Sequence, residues 1–377
     1  MSTLNVEGIK NTAATSDTIT LATDGTCTAK ASNLPVYNWM INGSMQIAQR
    51  GTASSASGYQ TVDRFAVDAS GEDETPSQAQ VDVTAGTTPY TLGFRKALKI
   101  TNGNQTGGAG ASDYVRIRHV FEAQNIANSG WNFKSSSSYI TLAFWVKSSV
   151  AQNFYGFFRN SDGTMYQYPF ETGALSANTW TKVTKIIPGN SNITMNNVNT
   201  AGLEFYFHPF QGTAETASGV ALNTWTTYSG TAKMPDNTST WWTTNDATFE
   251  VTGFQLTVTD YCPDYPHMSY ADELLRCQRY YEVIRMSTGT AMFHASGNST
   301  IGFSNHWWYK VEKRIGTPTI SLVNGATFKD DSNNNRTLTG MFTSPDHVMF
   351  YNANSNGGSF RLFNTNQVIS VTSNAEL

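Results

Sequence analysis

The sequence lacks long apolar runs and has few charged residues. No stretch of about 18 apolar residues occurs in its 377 residues, so no membrane insertion is expected. Charged residues make up 14% of the chain, against roughly 25% in a typical soluble protein. The net charge is −4 and there is no run of lysine and arginine. The positive footprint of a nucleic-acid-binding protein is therefore missing, and no nucleic acid is expected as a partner.

Secretion signals and paired cysteines are missing as well. The N-terminal segment has no basic stretch followed by an apolar one, so we expect no signal peptide, synthesis in a cytoplasm and a soluble product. The three cysteines, Cys27, Cys262 and Cys277, form no CxxC pair. Three free thiols are favoured, and a Cys262–Cys277 bridge is the alternative.

The signatures of common enzymes and metal sites are also absent. No GxSxG, GxxxxGK[ST] or GxGxxG motif occurs, and the six histidines lack the spacing of a zinc site. Glycoside hydrolysis needs two carboxylates in a cleft, and the nearest candidates are Glu72, Asp73 and Glu74. Because they lie in a polar segment beside Pro76, a solvated turn is the favoured interpretation. We therefore expect a non-enzymatic protein with no catalytic residues, no metal and no cofactor.

The main pattern in the sequence is a series of short strand-like segments separated by turns rich in Gly, Asn and Ser. In 249–258, Phe249 and Val251 would share one face of a strand, and Glu250 and Thr252 the other. Many short strands with little helix predict a mainly β fold, a jelly-roll-like β-sandwich with a short helix and a smaller C-terminal β domain. Further strands are predicted at 139–146, 154–158, 180–187, 203–207, 291–294, 301–303, 306–312, 318–323, 348–351 and 360–363.

Four segments follow from this pattern. They are an N-terminal hairpin leader (1–36), a jelly-roll-like β-sandwich (37–262), a helical connector (263–283) and a C-terminal β domain (284–377). The pair Asp24-Gly25 is a strong hairpin signal in the leader. Since an isolated hairpin is marginally stable, the leader packs on its own domain or serves as an attachment or trimer-forming segment. The residues do not decide between these.

A helix is predicted over 269–283 within the connector. Ser269 and Asp272 resemble a capping box, with Asp in place of the usual Glu. The predicted apolar stripe consists of Leu274, Cys277, Gln278 and Tyr281.

Several segments, taken in order, resemble recurring features of phage tail-fibre and virion structural proteins, especially those of aquatic phages. The most specific is the Asp-Glu-Leu-x-Arg-Cys-Gln-Arg-Tyr-Tyr block at 272–281. The resemblance covers most of the chain from residue 37 onward and implies a virion location and a non-enzymatic role. The other segments are 37–51 (YNWMINGSMQIAQRG), 62–65 (VDRF), 142–148 (LAFWVKS), 180–182 (WTK), 249–256 (FEVTGFQL), 266–282 and 374–377 (NAEL).

A second likeness is to jelly-roll carbohydrate-binding modules. These open with a strand ending in Asn-Gly and close with an Asp-bearing strand, and Asn42-Gly43 and 249–256 match that frame. Such modules often hold a structural calcium through acidic residues. In this sequence Gln46 and Gly253–Phe254 occupy the positions of those acidic residues, so no calcium site is expected from the likeness.

Two groups of adjacent rings are the candidate carbohydrate-binding residues, Trp241 with Trp242 and Trp307 with Trp308 and Tyr309. If these segments are strands, successive side chains point to opposite faces. One ring then meets the core, and the other needs a subunit interface, a covering loop or a ligand. Exposed flat rings suit the apolar face of a sugar. Burial between sheets and packing between trimer chains are the alternatives.

The leading interpretation is a virion tail-fibre subunit that takes part in host attachment. It is expected to form a homotrimer, to contact other tail proteins and to meet a host surface glycan. A capsid decoration or tail connector protein without a receptor is the alternative, and a polysaccharide-degrading tailspike is less favoured. Host contacts are expected in the C-terminal part, where the rings at 307–309 accompany Asn-rich loops at 330–335 and 352–358.

Overall fold

The chain is described by a computed structural model that is almost entirely β in its regular elements, as predicted. The structure describes residues 6–10, 12–13, 19–24, 27–29, 36–286, 291–297, 303–323, 327–330, 335–336, 340–352, 358–363 and 369–377. In this part of the chain, no helix is long and apolar enough to cross a membrane. All three cysteines are free thiols.

A small antiparallel sheet lies at the N-terminus. Its strands are β1 (Gly8–Ile9), β2 (Ile19–Leu21) and β3 (Cys27–Ala29), in that order. β2 and β3 pair on either side of the segment with Asp24, whereas Gly25 of the predicted turn lies outside the described residues. Ile9 and Leu21 are exposed, so the sheet presents apolar side chains to solvent.

Two antiparallel sheets of six strands form the sandwich that the sequence predicts. Its elements are β4 (Ala53–Ser54), β5 (Ala66–Ser70), β6 (Ser77–Asp82), α1 (Thr88–Thr91), β7 (Lys96–Thr101), β8 (Tyr114–Glu122), α2 (Ala123–Ala127), β9 (Tyr139–Ser148), β10 (Asn153–Asn160), β11 (Tyr166–Ala174), β12 (Thr181–Pro188), β13 (Ala201–Gln211), β14 (Thr226–Thr227), α3 (Thr240–Thr243) and β15 (Thr248–Thr257). Sheet I has the order β12-β9-β15-β7-β6-β4, and sheet II has the order β14-β11-β10-β13-β8-β5.

The core between the two sheets consists largely of phenylalanine. Phe144 and Phe254 of sheet I stack with their ring centroids 4.8 Å apart. Phe205 of sheet II lies 5.3 Å from Phe254, edge to face. All three rings are fully buried. Because each buried ring contributes about 1.5–3 kcal/mol, this cluster is a major source of the stability of the sandwich.

A β-bulge reverses the inward–outward alternation of β15. Phe249 and Val251 face the core, as predicted. The register with β9 then shifts, and Phe254 and Leu256 become the inward residues. One residue is inserted at this point, which is what a bulge does to a paired strand.

Gly253 makes this bulge possible. Its φ is +66°, a left-handed conformation that favours glycine, and a Cβ there would lie 2.7 Å from the Phe94 ring. As a consequence, Gln255 points away from the core and lines a cavity on the outer side of sheet I.

The helix after the sandwich begins where the sequence predicts and ends earlier. It is α4 (Tyr270–Gln278), and the Ser269 Oγ accepts from the Asp272 backbone N–H at 3.2 Å, as in the predicted capping box. The prediction of helix to residue 283 is wrong, because the chain from Tyr281 onward pairs with the C-terminal strand instead.

The described residues of the C-terminal part form three small antiparallel sheets. Its strands are β16 (Tyr281–Met286), β17 (Ala291–Gly297), β18 (Phe303–Trp308), β19 (Thr319–Val323), β20 (Thr327–Asp330), β21 (Asn335–Arg336), β22 (Gly340–Thr343), β23 (His347–Asn352), β24 (Gly358–Phe363) and β25 (Ile369–Asn374). The sheet orders are β16-β25-β19, β17-β24-β20-β21 and β18-β23-β22. The predicted fold class is thus confirmed, whereas the trimer and the domain boundaries stay predictions.

Buried and half-buried charged residues join the C-terminal part to the sandwich. Arg64 is fully buried and pairs with Glu376, and its guanidinium carbon lies 3.4 Å from the centre of the Tyr280 ring. Arg279 donates to both oxygens of Glu122, at 2.7 and 2.8 Å. We call this group the seam, and it consists of Arg50, Asp63, Arg64, Glu122, Arg279 and Glu376.

Several of the segments that resemble phage proteins contribute residues to the seam. Segments 37–51, 62–65, 266–282 and 374–377 each contribute at least one seam residue. The most specific block, 272–281, and three of the other segments therefore lie in contacts that hold the fold together. By themselves they do not mark a ligand site, which has to be sought on the surface.

Candidate binding surface on the C-terminal sheet

Two of the five rings proposed from the sequence are in the core. Trp241 and Trp242 lie on the helical turn α3 and not on a strand, and both are fully buried. The Trp241 indole N–H donates to Thr248 O at 3.2 Å, and that of Trp242 donates to Gly108 O at 2.7 Å. The prediction that these two rings bind carbohydrate is wrong, because enclosed rings with satisfied N–H groups offer no surface to a ligand.

The other three rings follow the alternation expected of a strand. On β18, Trp307 is 3% exposed and Trp308 is 61% exposed, so they face opposite sides of the sheet. Tyr309 is half-buried, packs edge to face with Trp307 and has the Lys313 ammonium 4.4 Å from its ring centre. Of the five proposed residues, Trp308 is the one open to a ligand.

Trp308 lies on the outer face of the sheet β18-β23-β22, between two histidines. His306 is two residues earlier on the same strand, with its ring centroid 5.9 Å from that of Trp308. His347 is the cross-strand partner of Trp308, and these two ring centroids are 4.6 Å apart. The imidazoles thus flank the indole while much of its surface remains in solvent.

Phe342 provides a second exposed ring on the same face. It is 61% exposed and stacks on Tyr351 at 5.3 Å. Met349 pairs with Phe342 on one side and with His306 on the other, so the outer face runs across all three strands. At about 4.8 Å per strand, the strands that carry Phe342 and Trp308 lie about 10 Å apart. We call this surface the Trp308 face, and it consists of His306, Trp308, Phe342, His347, Met349 and Tyr351.

A carboxylate borders the Trp308 face at the turn between β22 and β23. Asp346 Oδ1 lies 2.9 Å from His347 Nδ1, and the Ser344 hydroxyl donates to the same oxygen. The hydrogen bonds from Ser344 and then His347 lower the pKa of Asp346 below its usual range, so it is ionised at neutral pH. Apolar rings therefore stand beside imidazole nitrogens and a carboxylate, a combination that suits the apolar and hydroxylated sides of a sugar.

The carboxylates considered for hydrolysis serve a nearby loop. Asp73 Oδ2 accepts from Gly107 N at 2.6 Å, and Glu74 Oε2 accepts from Asn104 N at 2.7 Å. Their oxygens thus organise the 104–107 loop. Among the residues that the structure describes, no group of three or more His, Cys, Asp and Glu could hold a metal ion.

Part of the Trp308 face was not foreseen from the sequence. Phe342, His347, Met349 and Tyr351 join it through the pairing of β22, β23 and β18, which one sequence does not reveal. The available signal was the predicted strand at 348–351, whose successive residues must face opposite sides. The Asn-rich loops lie largely outside the described residues.

No family model matches the chain, and a search of curated proteins finds no match. Among solved structures, the chain is similar to the enzymatically active domain of tailspike protein 4 from bacteriophage CBA120, at 8% identity over 59% of this chain and 21% of that one, with a TM-score of 0.31. It is also similar to the N-terminal cellulose-binding domain of Cellulomonas fimi β-1,4-glucanase C, at 9% identity over 57% and 98% of the two chains, with a TM-score of 0.26. A family 11 carbohydrate-binding module from Clostridium thermocellum matches at 10% identity over 55% and 95%, with a TM-score of 0.24.

The matched part corresponds to about a fifth of the tailspike structure and to nearly the whole of each binding module. At TM-scores well below 0.5, these likenesses establish no common function. The sandwich itself is defined by the chain's own two six-stranded sheets.

Proposed function

We propose that the chain is a non-enzymatic structural protein of a phage virion, a tail-fibre subunit that takes part in host attachment through the Trp308 face. The segments that resemble those of phage tail-fibre proteins, taken in their order along the chain, support the virion location. The observation that carries the attachment role is the exposure of Trp308 and Phe342, each 61%, on one side of one small sheet.

Exposed rings of this kind are unusual in the chain. Among the residues that the structure describes, the aromatic side chains that are more than half exposed are Tyr37, Tyr270, Trp308 and Phe342. Apolar surface left in water costs about 25 cal/mol per Å² relative to burial, and contiguous exposed patches mark contact sites. The pairing of two such rings on one face favours a ligand there.

A host surface glycan is the ligand that the Trp308 face fits best. Indole and phenyl rings take the apolar face of a sugar. His306 and His347 lie in the Trp308 face and Asp346 lies at its border, where they can meet hydroxyl groups. Two exposed rings on strands about 10 Å apart suit an extended chain rather than one small molecule. Single contacts of this kind are weak, so adhesion depends on several copies acting together.

A homotrimer would supply those copies. The leader sheet leaves Ile9 52% and Leu21 40% exposed, and apolar side chains of this kind are covered when chains associate. We propose that sister chains cover them at the end that docks to other tail proteins, which leaves the Trp308 face free for the host.

Binding of the purified chain to surface polysaccharide from the host tests this proposal. Trp308→Ala should weaken binding about tenfold, equivalent to about 1.4 kcal/mol. Tyr270→Ala is the matched control, because Tyr270 is 59% exposed but lies on α4. Equal binding of the two variants would remove the Trp308 face from attachment. If the wild-type chain binds no polysaccharide, a decoration or connector role replaces attachment, and release of reducing ends would reveal an enzyme.

A further inference from the structure

The outer face of sheet II carries charged and aromatic side chains that do not belong to the Trp308 face. On β8, Val115 and Ile117 point into the core between the sheets. The alternation of the strand therefore turns Tyr114, Arg116 and Arg118 outward. All three side chains are half-buried, so part of each reaches solvent.

Arg116 is held in place by three neighbours. Its Nε donates to Asp68 Oδ2 at 3.2 Å. Its guanidinium carbon lies 4.7 Å from the centre of the Tyr114 ring and 5.4 Å from that of the Tyr206 ring. Because Tyr206 is buried and Asp68 holds Nε, these contacts limit the directions in which the terminal nitrogens Nη1 and Nη2 can point.

The terminal nitrogens of Arg116 are available to a ligand. Neither Nη1 nor Nη2 makes a hydrogen bond to a residue that the structure describes, and both reach solvent. Arg159 on the same face is different, because its Nη2 donates to both carboxylate oxygens of Glu204, at 2.8 and 2.9 Å. Arg116 thus keeps two adjacent N–H donors free, the arrangement that binds a carboxylate or phosphate through two parallel hydrogen bonds.

The charge around Arg116 also favours an anion. Arg118 Nε lies 3.7 Å from Asp68 Oδ2, the oxygen that Arg116 already uses. Among the described residues, Asp68 is the one acidic side chain within 4.0 Å of either guanidinium. Arg118 is further tied to the fold, because its Nη1 donates to Leu377 O at 3.3 Å. One carboxylate side chain therefore serves two guanidiniums, and Arg116 is the one with donors to spare.

We propose that Arg116 binds the acidic group of a sugar unit, a carboxylate or a phosphate. The group accepts one hydrogen bond from Nη1 and one from Nη2, and the sugar ring lies against the exposed part of Tyr114. A neutral sugar gains no charge-assisted hydrogen bond at this site, and a free anion gains no ring contact. The site goes beyond the proposed function, since it lies on sheet II and does not depend on the Trp308 face.

Saturation-transfer NMR on the full chain tests the proposal with D-glucuronate, D-galacturonate and D-glucose 6-phosphate. D-glucose and D-galactose are the neutral counterparts, and acetate and inorganic phosphate, added as competitors, are the anions without a ring. At least one acidic sugar should bind about tenfold more tightly than its neutral counterpart, and the comparison of glucuronate with glucose 6-phosphate identifies the preferred acidic group. Acidic sugars that bind no more tightly than neutral ones would overturn the proposal, as would a free anion that binds as tightly as the preferred sugar.

Arg116→Lys tests the two parallel hydrogen bonds, because it keeps the positive charge but offers a single ammonium. Binding of the preferred acidic sugar should weaken about tenfold, or about 1.4 kcal/mol. Arg95→Lys is the matched control. Exposed Arg95 also lies over a tyrosine ring, that of Tyr90 at 4.0 Å, but its Nη1 donates to Tyr90 O at 2.8 Å. Equal binding by Arg116→Lys and Arg95→Lys would overturn the proposal.

Two further variants separate the remaining outcomes. If Arg116→Lys does not fold, Tyr114→Leu decides, because it removes the ring beside the free nitrogens and should also weaken binding. Acidic-sugar binding that survives Tyr114→Leu would then overturn the proposal. Trp308→Ala should leave binding of the acidic sugar unchanged, and its loss in that variant would assign the acidic sugar to the Trp308 face and overturn the site at Arg116.

Discussion

Replacing Glu376 by Gln tests whether the seam holds the C-terminal part on the sandwich. The substitution keeps the size of the side chain and one acceptor oxygen but removes the charge that faces Arg64. Arg64 is fully buried, and Glu376 also pairs with Arg50 at 3.3 Å. The variant therefore leaves a buried guanidinium without its counter-charge.

The expected loss is about 3 kcal/mol of unfolding free energy. Removing one partner of a buried ion pair costs about 3–5 kcal/mol, because the remaining charge is uncompensated. The lower end applies, since Arg64 Nη2 still donates to Val120 O at 2.5 Å and the guanidinium still lies over the Tyr280 ring. For comparison, Asp82→Asn breaks the ion pair with Lys96, but the Asp82 side chain is 82% exposed. That control should lose less than about 1 kcal/mol.

Urea unfolding followed by tryptophan fluorescence measures the difference. The midpoint of Glu376→Gln should lie well below those of the wild type and Asp82→Asn. A double-mutant cycle with Arg64→Met should show coupling, because the double variant should lose less unfolding free energy than the sum of the losses in the two single variants. Equal midpoints for Glu376→Gln and Asp82→Asn would refute the seam as a stabilising element.

Three further predictions follow from the same structure. Gly253→Ala should lower the unfolding free energy measured in urea by about 2 kcal/mol, because φ is +66° and a Cβ would meet Phe94. The control Gly230→Ala has open space around it and should change the unfolding free energy by less than about 0.5 kcal/mol. Burial raises the pKa of Asp63 to about 6, so its proton stabilises the fold below the unfolded value near 3.8, and that contribution is lost as pH rises through 6. At about 1.4 kcal/mol per pKa unit this amounts to up to about 3 kcal/mol, and an Asp63→Asn curve that follows the wild type between pH 4 and 8 would contradict it. Light scattering should give three times the 41.3 kDa chain mass, and a stable monomer at micromolar concentration would contradict the trimer.

The sequence predicts the fold class well because the signals are local. Two features depend only on residues close together in the sequence, and the structure has both. They are the inward alternation of Phe249 and Val251 and the helix cap formed by Ser269 and Asp272. The bulge at Gly253 is different. It depends on the close approach of a distant ring, so strict alternation would have turned the wrong residues of β15 toward the core.

The candidate site is only partly visible in the sequence. Trp307 and Trp308 could be assigned to opposite faces from strand geometry alone. Trp241 and Trp242 could not be placed, because the turn α3 that buries them is held by tertiary contacts such as the bond to Thr248 O.

The adsorption rate of phage particles that carry Trp308→Ala tests the attachment role most directly. Particles with Tyr270→Ala serve as the matched control, and electron microscopy establishes that both variants assemble. The proposed role of the Trp308 face predicts intact Trp308→Ala particles that adsorb to the host several-fold more slowly than the wild type and the control. Intact particles of both variants that adsorb at the wild-type rate would contradict it.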